Sequence, residues 1–157
     1  MAETAKGIRE REELWGMSGR VIPGPADTNI FTEENGTSLA NEMSKPVRLS
    51  NGKMVRGIQW TRADKRPGSR KMGWKAMVER FENAKPTETN FVREKPGLFV
   101  FGEHCPQFLR TVPILPRDEK DMDDVDTDAE DHIGDTARYR VVAAGGVLIS
   151  GSTSGMF

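Results

Sequence analysis

The chain of 157 residues has a single cysteine and only two histidines. One thiol, Cys105, excludes an internal disulfide framework and a cysteine-rich zinc site. No stretch approaches the roughly 20 apolar residues that a bilayer span needs, so no membrane contact is expected. The opening segment, MAETAKGIREREELWG, is charged and lacks an apolar centre. No secretory signal is expected from it, and a reducing cytosol is the default compartment. Charge of one sign is also lacking: 23 Lys and Arg oppose 24 Asp and Glu, for a net charge of -1. That excludes a binder working through a simple basic tail and leaves room for a locally basic groove. Internal repeats are absent. A hydrophobic fraction of 36% and a mean hydropathy of -0.60 suit one core accompanied by long solvated loops.

Periodicity and punctuation predict the elements. Residues 2–15 read as a helix, with Ala5, Ile8 and Trp15 at roughly helical spacing and Gly16 and Gly19 ending it. Arg20-Val21-Ile22 is a short strand candidate running into Pro23-Gly24-Pro25, a stretch expected to be irregular. Asn35 to Met43 suit a second helix, ended before Pro46. Asn51-Gly52 is a turn signal and points to a hairpin before Trp60. Residues 69–81 form the clearest amphipathic helix. Met72, Lys75, Ala76, Met77 and Phe81 share its face, Trp74 and Val78 lie near the edge, and Ser69 is its expected N-cap. Residues 85–96 read as loop. Leu98 to Phe101 has the continuous apolar pattern of a buried strand. His104 to Arg110 suit a short helix closed by Pro113 and Pro116. Residues 118–131 read as an acidic loop, and His132 to Ala144 as a helix with an acidic N-terminus that suits the helix dipole. The small-residue stretch 144–157 reads as a flexible tail. Strands and helices alternate, so an α/β fold is expected.

Four constellations could carry chemistry. In Gly24-Pro25-Ala26-Asp27, a carboxylate follows a strand end, where open α/β sheets place ligands. A turn aspartate capping its own backbone is the commoner arrangement. Second, Arg62, Lys65, Arg66, Arg70, Lys71 and Lys75 are opposed by Asp64 alone. Pro67-Gly68-Ser69 sets a turn at the start of a helix, a natural phosphate seat, and such a cation cluster attracts polyanions. A solvated helix face explains it equally well. Third, residues 118–131 hold nine acids in fourteen positions, followed by His132 and Asp135. Asp124, Asp126, Asp128, Glu130, His132 and Asp135 fall at the 1, 3, 5, 7, 9 and 12 positions of a calcium loop. Ala129 stands where that loop needs Gly, and Asp135 where it needs Glu. Alternatively, Asp131, His132 and Asp135 present two carboxylates and an imidazole on one helical turn, a donor set suited to Mg²⁺ or Mn²⁺. The plain alternative is a helix-capping acid group with Arg138 as its i+3 ion-pair partner. Fourth, His104 and Cys105 are adjacent, so their side chains point apart; Cys105 reads as a small buried residue.

Taken in order, GPADTNIF, ADKRPGSRKMGWKAM, GLFVFGEHCPQFLRTVPILPRDEK and DVDTDAEDHIGDTARYR resemble the C-terminal nuclease domain of the large terminase subunit of tailed bacteriophages. The resemblance covers nearly all of residues 1–143, and the Asp-His-x-x-Asp block before Ala-Arg-Tyr is its most specific part. It implies an RNase H-like fold, truncated at the N-terminus, and metal-dependent endonucleolytic cleavage of concatemeric double-stranded DNA during packaging. Three acids hold Mg²⁺ or Mn²⁺ in that family. The second corresponds to Asp27 and the third to Asp135, with Asp131 the alternative ligand and His132 an accessory. Arg62, Lys65, Arg66, Arg70 and Lys71 would contact DNA phosphate without reading sequence. The first acid has no counterpart here, and no G-x-x-x-x-G-K-[ST] phosphate loop occurs. Weak or absent cleavage by this chain alone is therefore expected, as in a prophage remnant or split product. A non-catalytic DNA- or partner-binding remnant is the alternative. The implied partners are double-stranded DNA and, in the intact system, the small terminase subunit and the portal. The implied setting is the host bacterial cytoplasm. A shared metal would require Asp27 and Asp135 to meet, each about 2.0–2.6 Å from the ion.

Overall fold

The computed structural model describes residues 2–18, 24–86 and 95–150. Among these described residues are five α-helices, α1 (Ala2–Leu14), α2 (Leu39–Ser44), α3 (Ser69–Ala84), α4 (Pro106–Thr111) and α5 (His132–Ser150). The strands are β1 (Pro25–Ala26), β2 (Glu33–Glu34), β3 (Thr37–Ser38), β4 (Val47–Arg48), β5 (Met54–Val55) and β6 (Thr61–Arg62). The class is mixed α/β. Among the described residues the strands form three two-stranded sheets: parallel β1–β6, and antiparallel β2–β3 and β4–β5. No helix among them is long and apolar enough to cross a membrane. The chain divides into two compact units after Ala63.

The first unit is built around Ala5, Met43, Val47, Leu49 and Ile58, with Ile8, Val55 and Trp60 packed against them. Helix α1 enters this core through Ala5, whereas Trp15 stands half exposed beyond the helix end. Arg9 ties α1 down by donating to the carbonyls of Arg56 at 3.0 Å and Gly57 at 2.7 Å. Ser38 caps α2, its hydroxyl accepting from the Asn41 N–H at 3.2 Å. The expected helix over 35–43 is thus split. Asn35 and Gly36 carry positive φ and turn the β2–β3 hairpin, so α2 starts later. Gly52, at φ 84°, turns the β4–β5 hairpin signalled by Asn51-Gly52. Pro25 was expected in irregular chain, yet it pairs with Thr61 at the edge of a two-stranded sheet, where its missing N–H costs nothing. The strand candidate at 20–22 lies outside the described residues.

The second unit packs α3 on α5 around Trp74, Met77 and Val141. Phe81, Phe108, Val112, Leu115 and Val125 close over them. Glycine permits the close approach of the two helices. A Cβ at Gly73 would meet the stem of Arg138, and one at Gly134 would meet the Trp74 ring. The buried stripe of α3 is Ser69, Gly73, Trp74 and Met77, rotated from the face that periodicity predicts. Met72 and Val78 instead stand exposed along an open groove of about 1160 Å³, shared with Phe99 and Leu109. Ser69 is not the cap. Gly68, in the left-handed region at φ 82°, takes that place, and the Ser69 hydroxyl donates to the Asp64 carbonyl at 2.9 Å. Leu98 to Phe101 is extended chain rather than strand. Leu98 packs into the core, and its N–H donates to the Arg80 carbonyl near the end of α3 at 3.0 Å. Phe99 and Phe101 are exposed. A four-residue apolar run reads the same whether it pairs in a sheet or lies against a helix. The α5 helix runs on to Ser150, through residues assigned above to a flexible tail; 151–157 lie outside the described residues.

Candidate functional site

The acids of the second unit converge on one side chain. Arg70 projects from the first turn of α3 toward the loop that precedes α5. Its Nε donates to Asp124 Oδ1 at 2.8 Å. One terminal nitrogen donates to the Val125 carbonyl at 3.0 Å and to Asp131 Oδ2 at 3.1 Å. The other lies 3.8 Å from Asp135 Oδ1. Burial opposes the charge on this guanidinium, but the hydrogen bonds to Asp124 and Asp131 outweigh it and raise its pKa above the usual arginine value. A planar fork of five donors suits this task, because it serves several acceptors at once without losing its charge.

Asp135 is held on both oxygens. Arg138 Nε donates to Oδ1 at 3.0 Å, and the Tyr139 hydroxyl donates to Oδ2 at 3.2 Å. Arg138 is the i+3 partner suggested by spacing, and it is almost fully buried. Its charge also lies against two rings, 4.6 Å from the Tyr139 centroid and 5.7 Å from that of Trp74. The Asp131 carbonyl accepts the Asp135 N–H at 2.8 Å, which opens α5 and fixes both carboxylates at its start. The Asp131 side chain is only 8% exposed, whereas that of His132 is 93% exposed, 3.7 Å from Asp131 Oδ1.

Several other acids of the loop find basic or backbone partners. Asp121 pairs with Lys71, which holds the Asp121 carboxyl below its ordinary range and raises the lysine pKa. Glu130 accepts from Arg110 at 2.5 Å. Asp118 and Asp126 accept backbone N–H groups two or three residues on. Arg117 bridges to Val125 and donates to the Met122 carbonyl at 2.6 Å. The acidic loop is thus fastened at several points, while Asp123 and Asp128 stand exposed.

The basic segment is divided in its use. Arg70 and Lys71 were expected on DNA phosphate, yet both are spent on acids of their own chain. Arg66 grips Asp64 through three contacts of 2.7–3.1 Å, although its side chain is 84% exposed. Hydrogen bonds from that guanidinium lower the Asp64 pKa to about 2. Lys65 lies 5.5 Å from the Tyr139 ring centroid. Arg62 belongs to the first unit, over the Phe31 ring at 4.6 Å. At the expected phosphate seat, the Ser69 N–H is engaged by the Arg66 carbonyl at 3.0 Å.

Asp27 also stands in the first unit. Its carboxylate accepts the Asn29 N–H at 2.9 Å and caps the 3-10 turn Thr28–Phe31. His104 is exposed, and Cys105 is half-buried at the N-cap of α4. Mg²⁺ or Mn²⁺ would require oxygen donors that face a common point left open for the ion. Asp124, Asp131 and Asp135 supply such oxygens, but the Arg70 guanidinium fills the point they face. Among the described residues, no group of three or more His, Cys, Asp or Glu side chains is placed to hold a metal ion. In this arrangement the residues do not fit the ion. The calcium-loop reading meets the same obstacle, since Asp124 is the principal partner of Arg70.

Sequence reasoning missed the place of Arg70 and Asp124. The signal was charge balance: nine acids in fourteen residues need internal cations, and the nearest surplus of cations lies at 62–75. Comparison with known protein families, characterised proteins and solved structures finds no match to this chain.

Proposed function

We propose that the chain is a DNA-binding piece of a terminase-type nuclease domain of RNase H-like fold, derived from a tailed phage or prophage. The reading rests on the ordered blocks GPADTNIF, ADKRPGSRKMGWKAM and DHIGDTARYR. The observation that carries it is the convergence of Asp131 and Asp135 on one cation at the start of α5. These are the two positions that the resemblance gives to the third metal-binding acid and its alternative, although Arg70 now occupies the point they face. Arg62, Lys65 and Arg66 remain the phosphate-contacting cations of this reading, since Arg70 and Lys71 are committed elsewhere. Their contribution is affinity without sequence preference. Cleavage by the chain itself is expected to be weak or absent, because the third acid is engaged by Arg138, Tyr139 and Arg70.

The same observation also favours a second reading, in which the chain binds DNA or a packaging partner without catalysis. One pair of assays separates them. Fluorescence anisotropy with duplex DNA, taken over a range of salt, is expected to show weak binding that falls as salt rises. Plasmid nicking with Mn²⁺ is expected to be slight. Absence of any salt-dependent DNA binding would sink both DNA readings. Robust nicking abolished by Asp135→Ala would instead establish a working nuclease and exclude the non-catalytic alternative.

A further inference from the structure

We propose that Arg70 is a built-in counter-ion that keeps the acid cluster at the start of α5 closed to divalent cations. The inference deepens the nuclease reading above and rests on it for its functional meaning. Three carboxylates of like charge, on Asp124, Asp131 and Asp135, surround a single guanidinium at 2.8, 3.1 and 3.8 Å. Without a cation between them their mutual repulsion would splay the loop. The guanidinium supplies that charge permanently, since arginine does not deprotonate in proteins. It is also a structural tie, because the same nitrogen that reaches Asp131 holds the Val125 carbonyl at 3.0 Å. A divalent ion can enter only where Arg70 leaves, as two cations cannot share one set of acceptors at this range.

The test is Mn²⁺ binding by the full chain, followed by calorimetry and by electron paramagnetic resonance of free Mn²⁺. Wild type is expected to show no one-to-one site. Arg70→Gln removes the charge and is expected to gain a single site at least about tenfold tighter. That gain should disappear in Arg70→Gln/Asp131→Asn. Arg70→Lys keeps the charge but not the fork, and should gain less than Arg70→Gln. Thermal melting by circular dichroism keeps the question answerable if the variant is unstable. Mn²⁺ should raise the melting temperature of Arg70→Gln, whereas NaCl at equal ionic strength should not. One-to-one, Asp131-dependent Mn²⁺ binding by wild type would overturn the proposal. So would a folded Arg70→Gln or Arg70→Lys chain that binds no more tightly than wild type. An Arg70→Gln chain that stays unfolded in Mn²⁺ also overturns it, because the ion then cannot replace the guanidinium. DNA anisotropy is read separately. Loss of the nuclease reading appears there in every variant, and failure of the counter-ion role appears in the Mn²⁺ titration alone.

Discussion

Arg70 and Asp131 meet at 3.1 Å across 61 residues of chain, joining the first turn of α3 to the residue that opens α5. The Asp131 side chain is 8% exposed, so water replaces a lost partner there far less readily than at a surface carboxylate. Asp131→Ala leaves Arg70 short of an acceptor and is expected to destabilise the second unit by about 1–3 kcal/mol. Urea denaturation followed by tryptophan fluorescence, with Trp74 as the local reporter, measures this. Asp128→Ala, on an exposed stretch of the same loop, should stay within about 0.5 kcal/mol of wild type. Equal effects from the two substitutions would mean that the Arg70 contact carries no stability.

Acid titration provides a second check. Hydrogen bonds from Arg66 hold the Asp64 carboxyl at about 2, below its ordinary 3.8. A depressed folded pKa gives stability that is present above the unfolded value and lost as pH falls through the folded one. The contact should therefore weaken between about pH 4 and pH 2, and not in the neutral range. A carboxyl ¹³C titration of Asp64 should show a midpoint near 2 in wild type and a return toward 3.8 in Arg66→Ala. An unchanged midpoint in the variant would remove Arg66 as the cause.

The packing of α3 on α5 can be tested without touching a charge. A Cβ at Gly134 would fall 2.7 Å from a ring carbon of Trp74, which is itself buried between the helices. Gly134→Ala is then expected to force the ring or the helix aside, at a cost of about 1–3 kcal/mol. Ala is otherwise the better helix former by about 1 kcal/mol, so a stabilised variant would show that the ring moves freely. Differential scanning fluorimetry separates the outcomes by sign.

These tests touch features of unequal legibility. The helices that begin near 2, 69 and 132 were readable because periodicity and helix-forming composition act locally, though the last runs past Ala144, where the reading ended it. The i+3 pair of Asp135 with Arg138 was readable for the same reason. The exposed Met72 was not, because which stripe of α3 is buried depends on where α5 lies, and Gly73 sets that approach. Leu98 to Phe101 misled because four apolar residues carry no period. Arg70 was legible as a cation but not as an internal one, since its partners lie 54 to 61 residues away. Asp27 illustrates the opposite case: the local turn chemistry of an aspartate before Thr-Asn is what it performs in the first unit.

The last expectation concerns how much of the basic segment is available to DNA. Arg66 is exposed and held by the half-buried Asp64, an ion pair that water and salt screen on the arginine side. A phosphate can compete for such a guanidinium, whereas the Arg70 fork has several partly buried acceptors to give up. Arg66→Ala should therefore weaken duplex binding and lower the salt slope by about one contact. Asp64→Asn removes the competing carboxylate and should strengthen binding at low salt. Arg70→Ala should weaken binding less than Arg66→Ala, once fractions folded are matched by circular dichroism. Anisotropy titrations at several salt concentrations give affinity and slope together. If Arg66→Ala and Asp64→Asn both leave these unchanged, residues 62–75 are a solvated helix approach rather than a phosphate-binding segment. The DNA reading would then have to find its cations elsewhere.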